Sequence, residues 1–303
     1  FAPSPTGPLH VGGLRTALYN YLVAKRHNGT FVLRIEDTDK KRELKKSEDY
    51  ILRSLLWAGL KPDEGPKTGG SFGPYRQSER KEIYTAYAQD LIKKNLAYLA
   101  FDSEEELKAA RERFEKRGSS FLYNFQNRKA FKNSLSISPK EGARKKGGVV
   151  RLKVPKNKSV CVKDEIRGEI SVNTKEIEDK ILIKADGSPT YHFANVVDDH
   201  LMKISHVIRG EEWLPSLPAH KLLYEAFGWA APKFMHLPLL LNPAGKGKLS
   251  KRDGEKEGFP IFPLQWEGSL GYKEVGFLPD ALINYLALLG WSPESQKEIF
   301  QKK

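Results

Sequence analysis

The first sixty residues alternate between helical and extended periodicity, and this limits the fold more than any other feature. Leu14, Ala17, Leu18, Tyr21 and Leu22 recur at helical spacing over about Gly13 to His27, and Gly29 is placed to end that helix. Phe31-Val32-Leu33-Arg34-Ile35 then reads as a strand, followed by the acidic Glu36-Asp37-Thr38-Asp39. A second helix is predicted over about Leu44 to Ala58, with Ile51, Leu52, Leu55 and Leu56 on one face and Gly59 just beyond. Phe1 itself stands in strand-like sequence. Strands joined through helices run parallel, so the expected class is α/β with a doubly wound parallel sheet.

Beyond this the pattern changes. Gly65 to Pro74 reads as a surface loop. Helices are predicted over Ser78 to Lys94 and Ser103 to Lys116, the second opened by a Ser103/Glu106 capping box. A basic stretch, Arg144-Lys145-Lys146, precedes a strand over Val149 to Val154. Asp186-Gly187, between apolar segments of Ile181 to Phe193, signals a hairpin. This mixed α+β region reads as an insertion. The α/β pattern resumes with a strand at Ile204 to Ile208, a helix at Leu217 to Phe227 and a strand at Phe234 to Leu241. Gly245 to Gly258 shows no periodicity. A helix over Ala281 to Leu289 follows, with Pro279 in its first turn and Gly290 at its stop.

The 51 Lys and Arg residues outnumber 38 Asp and Glu, giving a net charge of +13. That excess favours a polyanionic partner, although a lysine-rich solvated surface has the same composition. Cys161 is the only cysteine, which excludes an intrachain disulfide and a cysteine-based zinc site. A reducing, cytoplasmic setting is expected. No stretch approaches the roughly 20 apolar residues of a membrane span. Because the chain starts with Phe1, not Met, and inside a strand, further N-terminal residues are expected.

Two segments carry candidate chemistry. Pro3-Ser4-Pro5-Thr6-Gly7-Pro8-Leu9-His10-Val11-Gly12-Gly13 lies between a strand end and a helix start, where backbone N–H groups favour phosphate. Gly12 and Gly13 allow close approach of a ligand, and His10 can donate to phosphate oxygens; a plain tight turn fits the same residues. Gly245-Lys246-Gly247-Lys248-Leu249-Ser250-Lys251-Arg252-Asp253-Gly254 sets four cations among glycines. It can close over a triphosphate, or be a solvated basic loop.

Together these segments resemble the paired signatures of class I aminoacyl-tRNA synthetases. His10-Val11-Gly12-Gly13 is similar to the HIGH motif, and Lys248-Leu249-Ser250-Lys251-Arg252 to the KMSKS motif. Ser4-Pro5-Thr6-Gly7, Arg34-Ile35-Glu36-Asp37-Thr38-Asp39, Tyr75-Arg76-Gln77-Ser78-Glu79-Arg80, the run Tyr191 to His200, and Arg209-Gly210-Glu211-Glu212-Trp213 resemble the bacterial glutamyl-tRNA synthetases, in family order. The resemblance implies a Rossmann-like catalytic domain in two halves, residues 1–75 and 190–241. An acceptor-end insertion at 76–189 interrupts it, and a KMSKS-like loop with a stem-contact region follows at 242–303. Relatives continue into an anticodon-binding domain that is absent from this sequence.

The implied reaction activates glutamate with ATP and passes the glutamyl group to the 2′-hydroxyl of the terminal adenosine of tRNA(Glu), and in some relatives tRNA(Gln). The first step characteristically needs bound tRNA. By resemblance His10, Lys248 and Lys251 are catalytic. His10, Gly12, Gly13, Glu212, Trp213, Leu240 and Lys251 bind ATP, which Mg²⁺ accompanies. Ala2, Ser4, Glu36, Tyr191, Asn195 and Arg209 bind glutamate, with Glu36 on the α-ammonium and Arg209 on the side-chain carboxylate. Arg144, Lys145, Lys146 and Arg151 are the candidate tRNA-phosphate contacts. Gly13 stands where the motif has its final His, and Leu249 and Arg252 also depart from the signature; glutamyl enzymes share these changes. The zinc cysteines of some relatives are replaced by Phe101-Asp102-Ser103, so no zinc is expected. A monomer is expected. The alternatives are a glutamyl-queuosine tRNA(Asp) synthetase, whose usual cysteines and shortened loop are missing here, and a non-catalytic tRNA-binding paralogue.

Overall fold

A computed structural model describes residues 1–39, 46–135, 148–242, 245, 247–293 and 297–300, leaving out the side chains of residues 251, 252 and 255. The chain forms two compact units. The first comprises Phe1–Glu79, Ile208–Leu214 and Met235–Lys303; the second comprises Arg80–Val207 and Pro215–Phe234.

The first unit is built on three extended segments in parallel. The Phe1 ammonium donates to the Val32 carbonyl (2.8 Å), while Arg34 N–H and Glu36 N–H donate to the carbonyls of Phe1 and Pro3 (3.0 Å each). On the other side, Leu33 N–H donates to Glu64 O and Ile35 N–H to Tyr75 O, and the bridges Val32–Glu64 and Ile35–Arg76 are parallel. Helix α1 (Val11–Arg26) joins the first two segments and buries Leu14, Ala17 and Leu18. Leu22 is 40% exposed, because it sits about 80° around the helix from Leu14. The left-handed residue that ends α1 is Asn28 (φ 51°), ahead of the expected Gly29.

Helix α2 (Ser47–Trp57) turns Tyr50, Ile51, Ser54 and Leu55 inward and leaves Leu56 48% exposed. The predicted apolar face was therefore rotated: Tyr50, with its hydroxyl, sits at the centre. A helix of the C-terminal region, Pro279–Leu288 (named α8 below), packs on α1. Arg15 donates to the Leu289 carbonyl (3.0 Å) and Tyr19 to Ala287 (2.9 Å).

In the second unit, α3 (Lys81–Lys93) and α4 (Glu104–Glu115) follow the expected pattern, and the Ser103/Glu106 capping box is present. Strand β1 (Ala97–Ala100) lies between them, and pairs antiparallel with β2 (Val149–Leu152), which pairs with β5 (Ile181–Ile183). The hairpin of β3 (Ser159–Asp164) and β4 (Gly168–Asn173) was not anticipated, although Val160 and Val162 alternate with exposed residues along β3. Buried Asp179 draws this unit together. It accepts from Arg128 (2.9 Å), Tyr98 Oη (2.6 Å) and the Val154 N–H (3.1 Å). Burial pushes its carboxyl up to about 6, with Arg128 opposing.

The expected hairpin at Ile181–Phe193 forms, with a short second arm: Lys184 N–H donates to the Ser188 carbonyl (2.8 Å) and Thr190 N–H to the Leu182 carbonyl (2.9 Å). Past Asp186-Gly187 Pro189 bridges Ile183, and α5 (Tyr191–Leu201) begins at once. Pro189 lacks the N–H that a second strand would donate. Strand β6 (His206–Gly210), α6 (Leu217–Phe227) and β7 (Lys233–Leu237) come next, and β7 stops before Pro238. Residues 245–258, read as aperiodic, contain helix α7 (Lys251–Glu257); α8 is Pro279–Leu288 with Pro279 at its first position. The seven residues of α7 are too few to show two apolar turns.

Candidate active site

His10 caps α1. Its Nδ1 accepts from the N–H of Gly12 (3.0 Å) and, more weakly, Gly13 (3.4 Å). In the neutral ring Nε2 then carries the hydrogen and is the donor edge. Burial, aided by the positive charge of Lys248, holds its pKa below 6.5; Glu212 opposes both. A Cβ on Gly12 would lie 2.8 Å from the His10 ring and 3.9 Å from Leu240, so the glycine is what lets the ring fold back over the helix start.

The KMSKS-like segment is set by a short antiparallel turn. Leu249 N–H donates to the Leu240 carbonyl (2.7 Å), and Leu241 bridges Lys248. Lys248 Nζ donates to Glu212 at 2.6 Å. Burial raises the Glu212 carboxyl, but the Lys248 bond and charge outweigh it and bring it below the usual carboxylate range. Glu211 accepts from the Leu239 N–H (2.9 Å), anchoring the same stretch. Ser250 N–H and Oγ both donate to Asp253, which starts α7.

These pieces share one cleft of about 340 Å³, lined by Thr6, Gly7, Pro8, His10 and Val11 on one side and by Leu249 and Ser250 on another. Ile261, Phe262, Trp266 and Glu267 complete it. The two signatures, some 240 residues apart, therefore meet at His10 and Ser250. The backbone of Lys251 opens α7 at this point; its side chain and that of Arg252 lie outside the described residues.

Sequence reasoning missed the strap of residues 259–266. Its Ile261 carbonyl accepts from the Val11 N–H (2.9 Å), tying it to the HIGH-like turn. Tyr50 Oη donates to the Leu264 carbonyl (2.5 Å) and accepts from the Leu264 N–H (3.1 Å). Its ring meets Trp266 edge-on, and burial raises its pKa to about 12, so it remains a donor. Gly254 of α7 packs so closely on the strap that a Cβ would lie 2.6 Å from Ile261 and 2.8 Å from the Phe259 carbonyl. Only the buried tyrosine within an apolar face was a possible signal in the sequence.

Of the candidate amino-acid residues, Glu36 is buried and paired with Arg34 at 3.2 Å. Ala2 and Ser4 lie on the neighbouring extended segment, Ala2 half-buried and Ser4 exposed. Arg209 is next to last in β6 and donates from Nε to His236 Nε2 at 3.0 Å. Trp213 follows in a short 3₁₀ turn, Glu211–Ser216. Tyr191 and Asn195 are on α5 in the second unit, and the buried Asn195 Oδ1 has no hydrogen-bond partner among the described residues.

Arg151 corrects an expectation. It is 4% exposed, donates to the Asp179 carbonyl (2.9 Å), and lies over the Tyr123 ring at 4.1 Å. It serves the core of the second unit and does not face a polyanion. Arg144, Lys145 and Lys146 lie outside the described residues. Among the described residues no three His, Cys, Asp or Glu side chains gather as a metal ion would need, and no helix is long and apolar enough to cross a membrane.

Comparison with known proteins agrees with this geometry. The family model for tRNA synthetases class I (E and Q), catalytic domain, matches residues 1–303. The chain is 57% identical to the glutamate–tRNA ligase of Christiangramia forsetii over 310 residues, covering 99% of this chain and 61% of that protein. It is 58% identical to the enzyme of Flavobacterium psychrophilum over 308 residues, covering 99% and 62%. The crystal structure of a glutamate tRNA ligase from Elizabethkingia meningosepticum in complex with its amino acid superposes with a TM-score of 0.95 at 56% identity, covering 99% of this chain and 62% of that one. The chain thus spans about three fifths of these relatives' length. The expected α/β class holds, down to the parallel ladder beside α1. A full-length family match joined to two signatures meeting in one cleft means that the chain belongs to the class I tRNA synthetases (E and Q), as their catalytic domain.

Proposed function

We propose that the protein is a glutamate–tRNA ligase that activates L-glutamate with ATP and charges tRNA(Glu). The observation that carries this reading is the shared cleft, with His10 on one wall and the start of α7 on another. In the first step a glutamate α-carboxylate oxygen attacks the α-phosphorus of ATP and pyrophosphate leaves. In the second, the 2′-hydroxyl of the terminal adenosine attacks the acyl carbon and AMP leaves. Neither step needs a covalent bond to the protein, so rate comes from positioning and charge stabilisation.

The Nε2–H of His10 and the cations Lys248 and Lys251 act on the phosphates. Glu212, held by Lys248, takes the adenosine together with Gly12, Leu240 and Trp213. Glu36 takes the α-ammonium; holding Arg34 does not exhaust the lone pairs of a carboxylate. Arg209 takes the side-chain carboxylate, and Ala2 and Ser4, on the segment beside Glu36, complete the glutamate contacts. The unpartnered Asn195 Oδ1 suits a ligand donor, since a buried acceptor left unpaired costs about 1–3 kcal/mol. Magnesium enters on the ATP phosphates. The Arg144–Lys146 stretch contacts tRNA phosphates. The enzyme acts as a cytoplasmic monomer, and use of tRNA(Gln) as a second substrate would place it among the non-discriminating enzymes.

ATP–pyrophosphate exchange with the intact protein tests the reading. Exchange should require both glutamate and tRNA, and Lys251→Ala should cut its rate by ~10² or more while glutamate KM changes little. Exchange supported by another amino acid, or none at all from the unmodified protein, would remove the assignment.

A further inference from the structure

Arg209 and His236 stand on neighbouring strands, β6 and β7, and the Arg209 Nε–H donates to His236 Nε2 at 3.0 Å. His236 is completely buried. An arginine has no acceptor and stays protonated, so this bond requires the lone pair on Nε2 and places the imidazole hydrogen on Nδ1. This partner of the guanidinium is therefore a neutral base. A carboxylate in its place would neutralise the arginine and compete with an anionic ligand. With Nε given to His236, the reading of Arg209 as the carboxylate binder places two parallel bonds on the Nη1–Nη2 edge.

We infer that His236 is a positioning residue for amino-acid selection: it holds the Arg209 guanidinium by its Nε–H without itself neutralising the charge that meets a substrate side-chain carboxylate. This rests on the reading of Arg209 as the group that binds that carboxylate. His236 contacts Arg209, so on this reading its effect belongs in glutamate recognition. Discrimination of a carboxylate from a carboxamide depends on charge and edge geometry together, and His236 controls the second without spending the first.

The test measures glutamate KM, ATP KM and kcat by pyrophosphate exchange in the intact protein with tRNA present. His236→Leu keeps similar bulk and removes the acceptor; His236→Gln places an amide oxygen near the Nε2 position; His236→Asn falls short of it. Leu and Asn should raise glutamate KM about tenfold with ATP KM within about twofold, and Gln should restore most of the loss. Thermal melts screen for folded protein, and if Leu fails to fold the Gln–Asn pair decides alone. Unchanged glutamate KM in the folded acceptor-less variants, or equal rises in both KM values, overturns the inference. Arg209→Lys separates the two levels. A normal glutamate KM there defeats the Arg209 reading and this inference with it; a raised KM there with normal values for the His236 variants defeats this inference only.

Discussion

At His10 one ring both caps a helix and lines the cleft, and substitution separates the two duties. Asparagine keeps a cap acceptor, so His10→Asn should stay within about 0.5 kcal/mol of the unmodified fold, whereas His10→Ala should lose about 1 kcal/mol. Both should depress exchange by roughly 10²-fold, since neither carries the donor edge. Urea unfolding beside the exchange assay checks this; an active asparagine variant would confine His10 to capping. The ring also makes a pH prediction. Its folded-state pKa lies below the unfolded value of 6.5, so just below pH 6.5 the unfolded chain binds more protons than the folded one. Its contribution to stability is therefore complete above that pH and is lost on acidification. Melts from about pH 7.5 to about 5.5 should fall more steeply for the unmodified protein than for His10→Asn.

Among elements, the strap of residues 259–266 couples the two signatures through ordinary packing. Tyr50→Phe leaves the Leu264 N–H and carbonyl without their buried partner and should cost about 1–3 kcal/mol. Gly254→Ala drives a methyl against the Phe259 carbonyl, which as backbone cannot rotate aside, and should also cost about 1–3 kcal/mol. If α7 and the strap move as one wall, Gly254→Ala should slow exchange even where the fold is fully populated. Chemical denaturation and exchange at low temperature separate the effects; full exchange activity in Gly254→Ala would show that α7 tolerates displacement. The same elements show why local reading faltered. The apolar run Phe193-Ala194-Asn195-Val196-Val197 satisfies strand and helix patterns alike, and only Pro189 and the Thr190 cap position settle it as α5. α7 spans seven residues, too few for a period to declare itself.

For the whole molecule, the +13 charge sets a long-range expectation. Binding of tRNA should weaken by about 10³-fold from roughly 50 to roughly 200 mM salt if about six phosphates are neutralised. A titration in which the dissociation constant is insensitive to salt would argue against phosphate-dominated binding. Arg151→Leu should leave that slope unchanged while lowering stability, because its guanidinium is committed to Asp179 and Tyr123. A slope reduced by about one unit would return Arg151 to the RNA surface.

The order of strand and helix, the Gly12–Gly13 turn and the lysine-rich segment were legible because periodicity, glycine and charge are properties of neighbouring residues. Residue type alone did not show that Arg151 is buried, that His236 holds Arg209, or that Tyr50 fastens a strap more than two hundred residues away. Those pairings depend on which distant segments the sheet and helices bring within a few ångströms. A cation pattern records what a side chain can do, whereas burial and partners decide what it is already doing. Thus the chain's own alphabet determined an α/β catalytic domain with two phosphate-type signatures. Tertiary packing decided which charged groups reach the cleft and which are spent in the core, because desolvation and hydrogen-bond geometry exist only once remote segments touch.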